Sequence, residues 1–352
     1  MVRVGLIGFG LAGQAFHAPV IEGVAGMELA CVLERRSSLA QELYPKARIA
    51  RTMGELLSDE TIRLVVVATP NDSHFDLAKQ SLLAGRDVVV DKPFTPTMAE
   101  SEELVRLAAE RGRLITVYHD RRYDGDFHTV QKIVKSGALG EVVEFESRFD
   151  RFRPEAKPGA WRERADQPGA GVLFDLGPHV IDQALILFGV PQAVTAWAIR
   201  QRDTSEVDDA FDVLFEYPRT RALLRARILA FAPTEHFLLH GTRGSFVKYG
   251  MDPQEELLRT GKFPTGKDWG PNWGVDREEF WGTLSVDGAP RRQVKTERGD
   301  YRNFYANVRD AMEKKARLEV TPEQCLQVMR ATLLAHKSSR EKRTVRWDEA
   351  VE

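Results

Sequence analysis

The sequence predicts a two-domain α/β protein. A doubly wound parallel sheet covered by helices is expected over residues 1–120, and an α+β half with a large, mostly antiparallel open sheet over residues 121–352. Three observations carry this. Short β-branched runs alternate with amphipathic stretches as far as residue 120. After Tyr118 the strand-like segments lengthen and only short loops separate them. The 352 residues are too many for one ordinary core and too few for three.

The first-half strands read directly as Val2–Ile7, 29–33, 64–68, Asp87–Val90 and 114–117, nearly continuous apolar runs of the kind buried on both faces. Between them, residues 11–23, 73–84 and 97–111 carry apolar side chains at helical spacing. The second half offers strands over 141–153, 193–201, 210–215 and 221–229, a helix over 174–188, and closing helices over 301–315 and 321–337. Residues 261–274, rich in Gly, Pro, Trp and Lys, read as a long loop that covers a site or enters a subunit contact.

Composition excludes several classes. With 43% hydrophobic residues, 29% charged residues and a net charge of -2, nothing steers the chain toward nucleic acid or a membrane surface. Cys31 and Cys325 are two cysteines far apart, so no disulfide framework is expected. No run approaches the roughly 20 apolar residues of a membrane span. The chain opens directly into a strand with no apolar leader, so the expected location is the cytoplasm. No metal is expected, because the histidines lack zinc-ligand spacing.

Gly8-Phe9-Gly10-Leu11-Ala12-Gly13 follows the first strand and opens a helix, the context in which such glycines bind a dinucleotide. Gly8 permits the tight turn, Gly10 admits the pyrophosphate to the backbone, and Gly13 lets the helix approach the strand. The competing reading is a glycine-rich turn without nucleotide. At the second strand's end, Glu34 favours NAD through the ribose hydroxyls, whereas Arg35, Arg36 and Ser37 favour NADP through its 2′-phosphate. Placing Glu34 on the strand and Arg35 at its tip makes NADP the expected coenzyme, with NAD the alternative. Thr69-Pro70-Asn71 ends the third long strand on the same edge, where it is expected to touch the dinucleotide. His74 serves either there or as a packing residue.

Asp91-Lys92-Pro93 ends the next strand, and the proline biases Lys92 toward an extended backbone that aims its ammonium into the crevice. In Gly169–His179, Asp175 and His179 lie four apart, so a helical segment would put them on one face, with Pro178 marking a helix start. A capping aspartate and a packed histidine are the plainer alternatives.

The glycine motif, Asp91-Lys92-Pro93 and the Asp175/His179 pair, in this order, resemble the Gfo/Idh/MocA oxidoreductase family over nearly the whole chain. Asp91 replaces that family's usual glutamate. Phe16-His17-Ala18-Pro19, Tyr118-His119-Asp120-Arg121-Arg122, Arg151–Glu155, Trp161-Arg162-Glu163 and His179–Gln183 are similar to its NADP-dependent scyllo-inositol dehydrogenase branch, although Asp120 stands where asparagine is common. The resemblance implies a Rossmann domain, a C-terminal domain used for oligomerisation, a substrate crevice between them, and a homodimer or homotetramer. It implies Pro93, Asp120, Trp161 and Arg162 among the cofactor contacts, beside Lys92. It implies Lys92, Tyr123, Arg153, Asp175 and His179 around a small polyol or sugar.

Oxidising a secondary alcohol needs a base for the hydroxyl proton while hydride leaves the same carbon. His179 is read as that base. Lys92 is read as the donor that steadies the developing alkoxide, and Asp175 as the group that holds a neighbouring hydroxyl. Lys92 as the proton carrier, with His179 only binding, is the open variant. Two other functions compete: NAD-dependent glycoside hydrolysis or elimination through transient oxidation, and a non-catalytic cofactor-binding sensor.

Overall fold

The computed structural model describes residues 1–156, 159 and 161–351. The chain forms two compact units: Met1–Asp120 with Gln254–Trp273 and Asp300–Leu326, and Arg121–Pro253 with Gly274–Gly299 and Gln327–Glu352.

In the first unit β1 (Val2–Ile7), α1 (Ala18–Glu22), β2 (Met27–Leu33), α2 (Leu39–Leu43), β3 (Arg48–Ala50), α3 (Met53–Leu57), β4 (Ile62–Val67), α4 (His74–Leu83), β5 (Asp87–Val90), α5 (Met98–Arg111) and β6 (Ile115–Val117) alternate along the chain. The six strands pair in parallel in the order β3-β2-β1-β4-β5-β6. Leu64–Val67 and Val88–Val90 are buried without a break, as a sheet covered on both faces requires. A capping box at Thr97 and Glu100 opens α5, and Gly112 at φ 61° closes it.

Residues 11–23 depart from a plain α-helix. Gly13–His17 form a π-helical turn, and α1 then begins with proline in its first turn. Pro19 has no N–H to return to the Ala15 carbonyl, so the ladder widens, and the Ala18 amide reaches back to the Gly13 carbonyl.

The second unit begins with α6 (Gly125–Lys135), β7 (Val142–Arg148), α7 (Val172–Asp175) and α8 (Gly177–Phe188), followed by β8 (Ala193–Ile199), β9 (Ala210–Glu216), β10 (Arg221–Arg227), β11 (Glu235–Gly241) and β12 (Gly244–Tyr249). Next come α9 (Gln254–Arg259), β13 (Gly282–Val286), β14 (Arg292–Val294), α10 (Arg302–Met312), α11 (Pro322–Glu341) and β15 (Val345–Arg346), of which α9, α10 and the start of α11 belong to the first unit. Nine strands order as β14-β13-β12-β11-β7-β10-β9-β8-β15, antiparallel except for β7 beside β10. One face carries the core, where Phe145, Phe211, Phe215, Phe237 and Phe246 are fully buried with Val180 and Ile181 of α8 and Ala331 and Leu334 of α11. The other face alternates charged and apolar side chains.

Three expectations need correction. The strand expected over 141–153 ends as a regular ladder at Arg148, and beyond it the Phe149, Arg151 and Arg153 N–H groups donate to the carbonyls of Arg225, Arg227 and Ile228 around an isolated Phe152–Leu229 bridge. The helix expected over 174–188 is two helices, because Pro178 restarts the ladder one residue after Gly177, so Asp175 ends α7 while His179 lies in the first turn of α8. Glu34 lies one residue past β2 rather than on it. The loop over 261–274 packs its tryptophans inward: Trp269 and Trp273 are buried edge to face, and Arg302 lies over Trp269 at 4.8 Å. Strands β3 and β11–β14 and helix α6 carry too few residues or too mixed a pattern to stand out in the sequence.

Candidate active site

The first unit gathers its loops at the carboxyl edge of the parallel sheet. Gly8 turns the chain at φ 94°, where a Cβ would stand 2.5 Å from the Ala68 carbonyl oxygen. A Cβ on Gly13 would collide with the Gly8 carbonyl, whereas one on Gly10 would meet nothing within 4 Å. The turn is therefore closed below and open above at Gly10, a cradle that fits the pyrophosphate of a dinucleotide. Gln14 fastens it, donating its side-chain amide to the Phe9 carbonyl at 2.6 Å and its backbone N–H to the Gly10 carbonyl at 2.9 Å. Phe9 is buried, Ala12 half-buried and Leu11 exposed.

Past β2 the Glu34 carboxylate is buried and occupied by its own chain. It accepts from Ser37 Oγ at 2.5 Å and from the Ala40 N–H at 2.9 Å. Arg51, reaching over from the end of β3, donates to the Glu34 carbonyl at 2.7 Å, to the Ser37 carbonyl, and to Ser38 Oγ at 2.7 Å. That clip turns Arg35, Arg36 and Ser37 outward, all exposed.

After β4, Thr69 is half-buried, Pro70 exposed and Asn71 buried. His74 is fully buried, with Nε2 2.9 Å from the Thr69 carbonyl oxygen and Nδ1 3.0 Å from that of Pro93. It staples the β4 loop to the β5 loop. Burial pulls its pKa below the ordinary value, against Asp91 and these carbonyls. The Lys92–Pro93 peptide bond is cis, Lys92 is half-buried, and its N–H donates to Asp91 Oδ1 at 2.8 Å. Burial alone would raise the Asp91 carboxyl, but His17, then Lys92 and His74, outweigh it and hold it at about 2. Asp120 closes this unit's list and is buried.

In the second unit the buried His179 ring stacks on Phe149 at 5.9 Å between centroids. The guanidinium carbons of Arg121 and Arg151 each lie 4.6 Å from the same Phe149 ring. One turn further along α8, Asp182 receives Arg122, and the next residue, Gln183, accepts from Ser147 Oγ at 3.2 Å. Asp175, at the end of α7, pairs with Arg162 at 3.2 Å, and Arg162 lies 4.5 Å over Trp161. Helix α7 starts on Asp208, whose carbonyl and carboxylate accept the Val172 and Leu173 N–H groups at 2.9 and 2.7 Å. Tyr123 is buried beside His128, and Arg153 is exposed, its carbonyl accepting from the buried Arg202 at 3.4 Å.

Asp175 and Arg162, expected to face substrate and cofactor respectively, are thus brought to each other. His17, Arg51, Arg122 and Asp182 had no role in the sequence reading. His17, Arg122 and Asp182 lie within stretches that carry the resemblance, and Pro19 marks an irregular turn beside His17, but no local signal points to Arg51.

Comparison with known proteins places both halves of the chain in one family. Residues 2–119 match the oxidoreductase family with an NAD-binding Rossmann fold, and residues 127–247 match the GFO/IDH/MocA C-terminal domain. An uncharacterized oxidoreductase of Escherichia coli (strain K12), YdgJ, is 41% identical, with 98% of each chain covered. The scyllo-inositol 2-dehydrogenase (NADP(+)) IolW of Bacillus subtilis (strain 168) is 35% identical, over 98% of this chain and 95% of its own. An oxidoreductase from Bacillus cereus superposes over both whole chains with a TM-score of 0.89 at 30% identity. Both halves of the chain are accounted for, and it belongs to the Gfo/Idh/MocA family of NAD(P)-binding oxidoreductases.

Proposed function

We propose that this chain is an NADP-preferring dehydrogenase or reductase acting on a secondary alcohol or ketone of an inositol-like or sugar substrate. The observation that carries the coenzyme preference is the Glu34 carboxylate. A strand-end acid selects NAD by accepting from the ribose hydroxyls. Glu34 is buried and already accepts from Ser37 and Ala40, while Arg35 and Arg36 are exposed beside it. The substrate class follows the similarity to IolW.

Gly8–Gly13, Arg35, Arg36, Ser37, Thr69, Pro70, Asn71, Lys92, Pro93, Asp120, Trp161 and Arg162 are the residues proposed to hold the coenzyme, with His74 setting the loops from beneath. The bound nicotinamide supplies a hydride acceptor or donor at C4. His179 takes the hydroxyl proton, and its stacking on Phe149 keeps the imidazole plane fixed for that transfer. Lys92 donates to the substrate oxygen and steadies its developing charge. Asp175 holds a neighbouring hydroxyl, with Arg162 orienting the carboxylate; Tyr123 and Arg153 complete the polyol contacts. The protein is proposed to act as a homodimer or homotetramer in the cytoplasm.

The test is absorbance at 340 nm with NADP and separately with NAD over a panel of inositols and aldoses, with Lys92→Ala and His179→Ala beside the parent chain. Turnover with NADP that both substitutions abolish supports the assignment. Product formed without net absorbance change would instead establish the hydrolytic or eliminating chemistry, and tight NADP binding with no product would establish a sensor.

A further inference from the structure

Three side chains from distant parts of the first unit meet behind Lys92. Tyr305 Oη, from α10, lies 2.6 Å from His17 Nδ1. His17 Nε2 lies 3.8 Å from Asp91 Oδ1, the same oxygen that accepts the Lys92 N–H at 2.8 Å. His17 and Tyr305 are fully buried, and Tyr118 packs its ring 4.5 Å from that of His17 while donating its hydroxyl to the Phe16 carbonyl. The position of His17 follows from Pro19, because the π-helical turn that Pro19 forces shifts His17 off the α-helical register.

The Asp91 carboxylate facing Nε2 favours the tautomer in which Tyr305 donates to Nδ1. Burial, then Asp91 and Asp120, raise the Tyr305 hydroxyl well above its ordinary range, so it keeps its proton and has one to donate. An Nδ1 that accepts it leaves the imidazole proton on Nε2, the nitrogen facing Asp91. At 3.8 Å that contact is electrostatic rather than a hydrogen bond, and Nε2 has no other partner among the described residues.

We propose that Tyr305 and His17 form a buried relay, Tyr305 O–H to His17 Nδ1 and His17 Nε2–H toward Asp91, that fixes the Asp91 carboxylate against the Lys92 amide and so positions Lys92. Both are positioning residues. The inference rests on the reading of Lys92 as the substrate-oxygen donor, but neither of its readouts uses substrate. Its failure is therefore separable from that of the proposed function, which Lys92→Ala turnover decides.

Two measurements test it. Nitrogen-15 ring spectra of the whole chain are expected to show His17 protonated on Nε2 and bare on Nδ1; a proton on Nδ1 overturns the relay. Amide hydrogen exchange then compares the parent with His17→Leu, Tyr305→Phe and His17→Gln. Exchange of the Lys92 amide is expected to rise at least about tenfold in His17→Leu, a loss of ~1.4 kcal/mol of local protection, and by less in Tyr305→Phe. Val89, in the β5 strand that precedes Lys92, stays unchanged, and His17→Gln, whose side-chain amide restores a donor toward Asp91, recovers most of the protection. A Lys92 amide that is unmoved in His17→Leu, or that loosens in step with Val89, overturns the proposal. If His17→Leu does not fold, the ring spectra of the parent decide.

Discussion

Arg122 closes one edge of its guanidinium on Asp182, Nε to one carboxylate oxygen at 2.8 Å and Nη2 to the other at 2.6 Å, with both side chains buried. Asp182 lies three residues beyond His179 on α8, so this pair anchors the helix face that presents the histidine. Breaking a buried pair from one side strands the other charge, at a cost of about 3–5 kcal/mol. Asp182→Ala is therefore expected to lower unfolding stability by about that amount in urea. Arg122→Met combined with Asp182→Leu should recover a large part of it, because neither charge is then left alone. A loss below ~1 kcal/mol in Asp182→Ala would mean that the pair does not hold α8.

The coenzyme preference is tested on the outward arginines. Arg35→Ala with Arg36→Ala is expected to weaken NADP binding by about 10- to 100-fold, the loss of one or two charge-assisted hydrogen bonds, and to leave NAD binding within about twofold. Calorimetric titration with each coenzyme measures both. Glu34→Gln separates the two roles of that acid: an internal cap loses loop order and NADP affinity together, whereas a ribose ligand would lose NAD affinity alone. Equal loss for both coenzymes in the arginine variant would refute the NADP preference.

The parallel half was legible because its strands are buried on both faces: runs such as Leu64–Val67 need no partner to be recognised. The glycine motif was legible because each glycine answers a steric demand that a Cβ would violate or a ligand would use. What escaped depended on long-range pairing. Nothing in the local sequence says that the Glu34 carboxylate is consumed by Ser37 and Ala40, or that Arg51 clips the loop carrying Arg35. The Tyr305–His17 contact joins positions 288 residues apart, and no periodicity encodes it. Asp175 and His179 have the four-residue spacing of helix neighbours, but Pro178, which starts α8, also ends the helix that precedes it.

Two carboxyls give the protein opposite pH dependences. Asp208, at the start of α7, is pushed up by burial to about 6, against the Leu173 and Val172 N–H groups that favour its anion. A raised acid binds its proton more tightly in the folded chain, so stability from this group is full below the ordinary value of 3.8 and falls as pH rises toward about 6. Asp91, held at about 2, acts the other way: its contribution, ~2 kcal/mol, is present above 3.8 and is lost as pH falls toward about 2. Asp208→Asn should flatten the decline between about pH 4 and 6. Asp91→Asn should remove the loss between about pH 4 and 2. Thermal unfolding across that range checks both, and an unaltered slope in either variant contradicts its assignment.

The open face of the nine-stranded sheet supports the proposed self-association. Register places Leu214, Leu223, Glu146, Leu238 and Val247 side by side across five strands. Except for the buried Glu146 they are half-buried, and none belongs to the apolar core. Trp197 and Ile199 on β8 are 54% and 44% exposed, and the next row carries Asp212 paired with Arg225 at 2.9 Å and Arg227 at 2.7 Å. Apolar side chains alternating with paired charges suit a second copy of the same surface, because an isologous contact requires self-complementarity. Sedimentation is expected to give a dimer or tetramer, and Leu223→Glu with Leu238→Glu to shift it toward monomer by placing like charges opposite one another. The far-ultraviolet dichroism should stay unchanged, since neither side chain contributes to the core. A parent chain that sediments as a monomer at micromolar concentration would overturn the proposal, and an oligomer untouched by the substitutions would place the contact elsewhere on the chain.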